Sequence, residues 1–419
     1  MTEREHALFA AAMQPGGGLA PFRYPAFKAI WIANLASNLG ATLQSVGAAW
    51  LMTDLTESHR MIALVQASTT LPIMLLGMFA GAIADNYDRR RVMLAAQLGM
   101  LITSALLAVC AWADVMSPWL LLGFTVTLGI GTSLNSPAWQ ASVRQQVGLV
   151  DLPQAIALNS ISFNLARSVG PALGGLLISL WNVSLAFAIN AVSYIAMVWV
   201  LWRWRPETPP MVRSTMLSSI AVGIRFCAAS SPIRRVLLRG AVLGFGTAGY
   251  QELIPAVVRD RLHGSEIDFG LMLGLFGIGS ILAALVIGKA RRRWGTEAVL
   301  GAATLSFVIA QSVLAGAETL SAALPATFIA GMGWVAGLTS INVAMQMRSP
   351  NEILGRCLSI YQAVTFGGMA IGSWLWGAMA DWRDLPFALH GAAAFLLLTL
   401  PVLHWIAPMP GPGEGRVET

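Results

Sequence analysis

Two ionisable side chains stand within long apolar stretches of the sequence. Glu252 lies in the glycine-rich run from Gly244 to Pro255, and Arg167 lies near the centre of the apolar stretch 155–179. A carboxyl that alternates between a dry and a hydrated environment takes up and releases a proton, and a guanidinium attracts an anion. We interpret Glu252 as a proton-exchanging group, the alternatives being a surface position or a structural ion pair. For Arg167, anion attraction stands beside tuning of an acid across a cleft or support of helix contacts.

Uncharged polar side chains form a second group of binding candidates. Along residues 27–53, small and polar positions fall within about 80° on a helical wheel at about 100° per residue. These positions are Asn34, Ser37, Asn38, Ala41 and Ser45. Asn164 shares the predicted helical face of Arg167. Aromatic residues near the ends of apolar stretches also anchor helices at a membrane interface, so the weaker candidates are Tyr250, Gln251, Tyr361 and Gln362.

The elements that carry these residues are predicted to be membrane-spanning helices. Of the 419 residues, 56% are hydrophobic and 11% are charged, whereas soluble domains carry about 25% charged residues. This composition excludes a soluble globular protein. Continuous apolar runs exclude a transmembrane barrel and favour helices, which satisfy their own backbone in lipid. The runs predict twelve spans of about 20 residues or more, over residues 27–53, 61–84, 92–113, 118–136, 155–179, 182–202, 236–258, 269–288, 298–316, 320–343, 356–379 and 386–406.

The longest polar connection divides these spans into two six-helix halves. We predict an N-terminal tail over 1–26, a first half over 27–202, a linker with an amphipathic helix over 203–235, a second half over 236–406 and a C-terminal tail over 407–419. All but five of the 26 Lys and Arg residues fall in segments that share one side of the membrane with the N-terminus. The positive-inside rule therefore predicts that both termini lie in the cytoplasm. We expect a multi-pass protein of a bacterial inner membrane.

A polar motif closes the second predicted span. Its residues are Gly81, Asp85, Asp88, Arg89, Arg90 and Arg91. Glycine permits close helix contact, and an aspartate can face the positive N-terminus of a neighbouring helix. The motif resembles the cytoplasmic signature of the major facilitator superfamily, although Asp88 replaces its second glycine and Arg292 replaces the acid in the second-half copy. The letters Gly-x-x-x-Asp recur from Gly377 to Asp381 at the opposite end of a span, which we attribute to coincidence.

A second motif lies in the fifth span. It consists of Gly170, Pro171, Gly174 and Gly175. Small residues at four-residue spacing let helices approach closely, and a proline inside a helix removes a backbone hydrogen bond and introduces a kink. The pattern resembles the antiporter motif of the same superfamily, and this resemblance implies a seal against proton leak and transport in the direction of export. Generic helix packing is the alternative.

Further resemblance covers most of the first half. It includes the segments 44–56, 71–72 and 135–138 and is to the branch of the superfamily that contains the enterobactin exporter and related transmembrane secretion proteins. The resemblance implies two six-helix pseudo-repeats, a small-molecule substrate, exchange with protons and alternating access. The expected cargo is a siderophore or another small amphipathic metabolite. Multidrug efflux and lysophospholipid flipping are alternatives, and a transport-inactive scaffold or sensor is the alternative of a different class.

Other classes of chemistry find no support in the sequence. No nucleotide-binding glycine loop, nucleophile elbow or pair of catalytic carboxylates occurs, so an enzyme is not predicted. The three cysteines and five histidines are too scattered for a metal site, and we expect no cofactor. Nucleic acid is not an expected partner, whereas membrane lipid is. The fourth span lacks the arginine that many proton antiporters carry, so coupling is not assigned there. We expect a monomer.

Overall fold

The computed structural model describes residues 19–206, 216–350 and 353–409 of the chain, some of them by their backbone alone. Long helices make up this part of the chain, with no strand. They are α1 (Pro25–Leu55), α2 (His59–Asn86), α3 (Arg89–Trp112), α4 (Pro118–Ser142), α5 (Leu152–Leu180), α6 (Val183–Arg203), α7 (Met216–Ala229), α8 (Ser231–Ala256), α9 (Glu266–Gly316), α10 (Leu320–Arg348), α11 (Leu354–Trp382) and α12 (Leu385–Ile406).

The helix α9 is two membrane-length helices joined at a sharp break. It runs for 51 residues, and Gly295 interrupts it with a φ of 81°. At about 1.5 Å per residue an unbroken helix of this length would far exceed the roughly 30 Å apolar core of a bilayer. The positive φ is available to glycine at little cost. Two predicted spans, 269–288 and 298–316, therefore lie on either side of this break.

Within the described residues, seven helices are long and apolar enough to cross a membrane. They are parts or all of α2, α3, α5, α6, α9, α10 and α12, and α9 contains two of the predicted spans. The predicted all-helical class is confirmed, while the count of twelve spans stays a prediction.

The two halves share one packing arrangement, a pair of glycines four residues apart on one helix. In the first half, Gly170 and Gly174 of α5 face Thr42 and Val46 of α1 closely enough that an added Cβ would meet them. In the second half, Gly368 and Gly372 of α11 press against the backbone of α8 in the same manner. Each pair lets its helix approach the first helix of its own half, as small residues do in membranes. The repeated glycine pairs thus build each half as one packed unit.

Arginines at one end of the bundle donate hydrogen bonds to the ends of other helices in the same half. Arg90 donates to the carbonyl oxygens of Leu201 and Trp202 at the end of α6. Arg239 donates to the carbonyl oxygens of Leu403 and Ala407 at the end of α12. The last carbonyls of a helix lack partners within it, and cations there are favoured by the helix dipole. These arginines therefore hold the helices of one half together, in addition to any contact with headgroups.

The linker helix α7 packs against the beginning of α11. The sulfur atoms of Cys227 in α7 and Cys357 in α11 are 3.9 Å apart, and both cysteines are free. Burial, followed by the proximity of Cys357, raises the pKa of Cys227 to about 12. The pair therefore acts as apolar packing that fixes α7 to one end of the bundle. We call this end the linker end and the opposite end the distal end.

Candidate functional site

The two halves are joined by charged groups at the distal end. Arg259 lies 2.7 Å from Asp54, and the Nε2 atom of His59 lies 3.1 Å from Asp260. Asp54 and His59 belong to the first half, and their partners follow α8 in the second half. These four residues and Asp381 are called the distal latch below. In the part of the chain that the structure describes, the hydrogen bonds and ion pairs that join the halves lie at this end.

Asp381 at the end of α11 holds the beginning of α2. Its carboxylate accepts hydrogen bonds from the Ser58 hydroxyl (2.8 Å), the His59 amide (2.6 Å) and the Arg60 amide (3.3 Å). These amides belong to the first turn of a helix, where donors are unsatisfied and negative charge is favoured. A Cβ on Gly377 would lie 2.8 Å from the Cα of Arg60, so the glycine permits this approach. The recurrence of Gly-x-x-x-Asp that we attributed to coincidence therefore forms a contact between the halves.

The Nδ1 atom of His59 is also 3.3 Å from a carboxylate oxygen of Asp381. Its direction is unsuitable for a hydrogen bond, since this atom has no hydrogen-bond partner among the described residues. We therefore regard the contact as electrostatic. The imidazole thus lies between two carboxylates of the other half.

The ion pair between Asp54 and Arg259 depends on the protonation state of Asp54. This residue lies one position beyond the predicted first span. Burial raises the pKa of Asp54; the charge of Arg259 opposes this effect, and the charge of Glu266 adds to it. Because its pKa lies above the usual value, Asp54 takes up a proton at a higher pH than an ordinary aspartate does. Its protonation removes the charge that attracts Arg259, so acidification at the distal end weakens this ion pair.

The glycine motif of α5 also contributes to the distal contact. A Cβ on Gly175 would lie 2.9 Å from the Cα of Gly270 in α9 and would press against the carbonyl oxygen of Glu266. The backbones of the two halves therefore touch here, whereas Gly170 and Gly174 serve α1 of the same half. Gly270 is not among the residues predicted from the sequence, although a glycine early in a span is the available signal for close approach.

The linker end has no hydrogen bond or ion pair between the halves among the described residues. Nor does any described atom of another helix lie within 4 Å of a Cβ added to Gly81, so the close helix contact that we expected there is not found in this part of the structure. The side chain of Asp85 lies outside the described residues. Asp88 accepts hydrogen bonds from the amides of Arg90 and Arg91 and so begins α3, which gives a physical reason for an acid in place of glycine. Arg89 donates to the Ala141 carbonyl at the end of α4.

The predicted binding residues fall in three environments. Tyr361 and Gln362 line a cavity of about 270 Å³ between α10 and α11, together with Leu338, Thr339, Asn342, Thr365 and Phe366. Tyr250 is packed between Phe276 and Phe307, at ring-centroid distances of 5.8 and 5.7 Å, and belongs to the core. Gln251 beside it is half-buried.

The small polar residues of α1 do not share one environment. Ser37 is buried, Asn34 and Asn38 are half-buried, and Ser45 is exposed. The Asn38 amide donates to the Ser162 hydroxyl of α5 over 3.5 Å. The side chain of Asn164 lies outside the described residues. A single cleft-facing stripe on α1 therefore stays a prediction.

Glu252 is buried on the face of α8 that packs against α11. Its residue is 3% exposed, and neither carboxylate oxygen has a hydrogen-bond partner among the described residues. The neighbouring Ser373 hydroxyl donates instead to the Met369 carbonyl. A surface position and a structural ion pair, the alternatives considered above, therefore do not describe Glu252 in this arrangement.

Arg167 lies where α5 of the first half faces α10 of the second half. Its side chain is exposed, and the guanidinium carbon is 6.0 Å from the centre of the Trp334 ring. No ion pair of Arg167 occurs in the described part of the chain. The structure thus separates the two ionisable residues, placing Glu252 within a helix seam and Arg167 in the space between the halves.

Comparisons with known proteins agree with this architecture. A family model described as transmembrane secretion effector matches residues 16–411. The enterobactin exporter EntS of Escherichia coli O1:K1 / APEC is 28% identical over 386 residues, which are 91% of this chain and 91% of that protein. The protein of the same name from Shigella boydii serotype 18 has the same identity and coverage.

Solved structures resemble the fold over nearly its whole length. The nucleoside transporter NupG has a TM-score of 0.75 and 13% identity, covering 91% of this chain and 99% of its own. A bacterial homologue of the iron transporter ferroportin in an inward-facing state has a TM-score of 0.69 and 16% identity, with coverage of 91% and 98%. These likenesses confirm the predicted fold class.

A methyl group at Gly175 should force the distal ends apart, because backbone atoms of Glu266 and Gly270 occupy its place. Spin labels at Asp114→Cys and Glu318→Cys, both exposed at the distal ends of different halves, report this separation when Cys110, Cys227 and Cys357 are replaced. We expect Gly175→Ala to move the distance distribution to longer values. Gly99→Ala is the control, since nothing lies within 4 Å of its added Cβ. An unchanged distribution in Gly175→Ala would contradict the close contact.

Asp381→Asn should weaken the hold on α2, because the charge at the helix N-terminus is lost. A charge there contributes about 1 kcal/mol, so the ratio of distally closed to open molecules should fall roughly fivefold. The same pair of spin labels measures this ratio. Glu57→Gln is the matched control, since Glu57 lies near Asp381 without a hydrogen bond or ion pair in the described residues. Equal distributions for both variants would show that Asp381 does not hold the halves together.

Proposed function

Because this chain belongs to the transmembrane secretion effector family of the major facilitator superfamily, as its motifs predicted, we propose that it is a secondary active exporter. Its relatives and structural neighbours are transporters and not enzymes, and the chain is a multi-pass membrane protein. The observation that carries the proposal is the closure of the two halves at one end. Joined distally and more open at the linker end, they have the form expected of one state of an alternating-access cycle.

The orientation of this state follows from charge. The linker end carries most of the arginines, so the positive-inside rule places it in the cytoplasm of a bacterial inner membrane. In this orientation the arrangement is inward-facing, and the distal latch separates the cleft from the outside. Cargo then enters from the cytoplasm and leaves after the latch opens, with the linker ends closing in turn.

The proposed cargo is a siderophore or another small amphipathic metabolite. Support comes from the relatives that are named enterobactin exporters and match over nine-tenths of both chains. The fold by itself does not select a cargo, because related folds carry many solutes. Multidrug efflux and lysophospholipid flipping are the competing cargo classes within the same fold.

Proton coupling is proposed at Glu252. An unpaired buried carboxylate is costly, so proton uptake and release at this residue would follow the hydration of the seam between α8 and α11. Both helices contact α2 of the first half, and opening of the distal latch changes this contact. A proton taken from the distal side would favour one state and cargo the other, since each ligand shifts the equilibrium by its difference in affinity.

Gene deletion should reveal the cargo. We expect an iron chelator to disappear from the medium and to accumulate in deleted cells grown without iron, and complementation to reverse both changes. Untargeted mass spectrometry of medium and cell extracts measures this. Unchanged chelator levels would refute the siderophore, and screening of drugs and lipids in the same cells would then decide between the competing cargoes.

Glu252→Gln should abolish the dependence of transport on a proton gradient, because the amide cannot take up the proton. In proteoliposomes loaded with the identified cargo, we expect gradient-driven transport to fall to the level without a gradient, while cargo exchange persists. Glu318→Gln, which changes an exposed distal carboxylate, is the control and should behave like the wild type. Full gradient-driven transport by Glu252→Gln would exclude Glu252 as the coupling residue.

A further inference from the structure

Arg167 is a cation that has no acidic partner among the described residues. Insertion of an arginine into the middle of a membrane helix is costly, so such a residue is usually functional. Among the described residues, Glu252 is the one acid that lies inside a predicted span. It is buried in the seam of α8 and α11 with no ion pair to Arg167. The remaining acids of the described chain lie at helix ends or in connections. A cation within a span that has no acid beside it among the described residues indicates an anionic ligand that binds and dissociates.

The buried ring of Trp334 fixes the position of this cation. The residue is 4% exposed, and its ring lies edge-to-face against Phe307 at 6.4 Å. Aromatic rings packed in this way hold their orientation, and the face of a tryptophan favours a cation. The guanidinium of Arg167 is therefore directed toward Trp334 while its donors stay available to a ligand. A guanidinium can bind a carboxylate through two parallel hydrogen bonds.

The neutral polar groups of the cavity lie toward the linker end of this pair. Trp334 precedes Leu338 by about one helical turn on α10, and Leu338 lines the cavity that also contains Asn342, Tyr361 and Gln362. A ligand with its charged group at Arg167 would extend its uncharged part toward these side chains. Because Arg167 and Trp334 belong to different halves, such a ligand also senses their relative movement.

We propose that Arg167, positioned against the ring of Trp334, forms an anion-binding subsite, so that the cargo is an organic anion with a carboxylate or phenolate group. This inference rests on the proposed export function and specifies its cargo class. A positive cleft attracts anions and repels cations. Cationic drugs are therefore disfavoured as cargo, and an uncharged isostere of the anion binds more weakly.

Three small aromatic probes of similar shape test the subsite: salicylate as the anion, salicylamide as its neutral isostere and benzylamine as the cation. Ligand-observed NMR titration of the purified full chain in nanodiscs yields a Kd for each. We expect salicylate to bind about tenfold more tightly than salicylamide, as a charge-assisted hydrogen bond implies, and benzylamine to bind most weakly. Equal Kd values for the three probes, or no binding of salicylate, would overturn the proposal.

Variants locate the effect. Arg167→Gln should weaken salicylate about tenfold and leave salicylamide unchanged, whereas Arg167→Lys, which keeps the charge, should retain part of the preference. Trp334→Leu should weaken salicylate less than Arg167→Gln does and leave salicylamide unchanged, because it removes the ring that positions the guanidinium and not the charge. Arg234→Gln, on the exposed face of α8, is the control. A preference that survives in a folded Arg167→Gln protein, judged by its elution and melting curve, would refute the assignment.

The export proposal and the subsite fail separately. If the mass-spectrometric comparison identifies a neutral or cationic cargo, export stands and the anion subsite is wrong. If the purified chain selects salicylate through Arg167 while deletion changes no metabolite, drug or lipid, the subsite stands and export is wrong.

Discussion

The structure depends on a direct contact of backbone with backbone between the two halves at the distal end. Gly175 and Gly270 bring α5 and α9 together, and Gly377 brings α11 onto the first turn of α2. Lipid offers no hydrophobic drive for such association, so close packing and polar contacts must supply it. Asp381 adds a charge at a helix terminus, where the unsatisfied amides of α2 are best served by a carboxylate. The distal ends are therefore held together by backbone packing and hydrogen bonds, both of which act only when the helices are close together.

Polar contacts within a half differ in kind from those between halves. Within a half, Arg90 and Arg239 bind the carbonyl oxygens that end α6 and α12, and glycine pairs fix α5 on α1 and α11 on α8. Between halves, Asp54, Arg259 and Asp260 are partly exposed ion-pair members. Exposed ion pairs contribute little and exchange readily with water. This difference is what the proposed alternating access requires, since each half would move as a body while the contacts between them break and form.

The two residues proposed for proton and cargo lie in different environments. Glu252 is enclosed by packed helices, where a proton would enter once the seam is hydrated. Arg167 stands between the halves beside Trp334, where the larger cargo would bind. In the proposed mechanism these separate sites communicate through the relative position of the halves, since both α8 and α11 contact α2. Coupling in such a protein needs no direct contact between Arg167 and Glu252.

Composition and apolar runs determined the helical membrane class, because lipid imposes these patterns on any spanning chain. The motifs around Gly81 and Gly170 identified the superfamily. The unusual positions of Glu252 and Arg167 were also visible, since charge stands out in an apolar run. Tertiary structure alone decided which glycine meets which, because Gly175 and Gly270 are distant in sequence and touch only through the packing of two halves. It likewise decided that Asp381 begins α2, that Tyr250 belongs to the core and that Gly81 lies open. Periodicity places a residue on a helix face, whereas its partner depends on how complete helices pack in three dimensions.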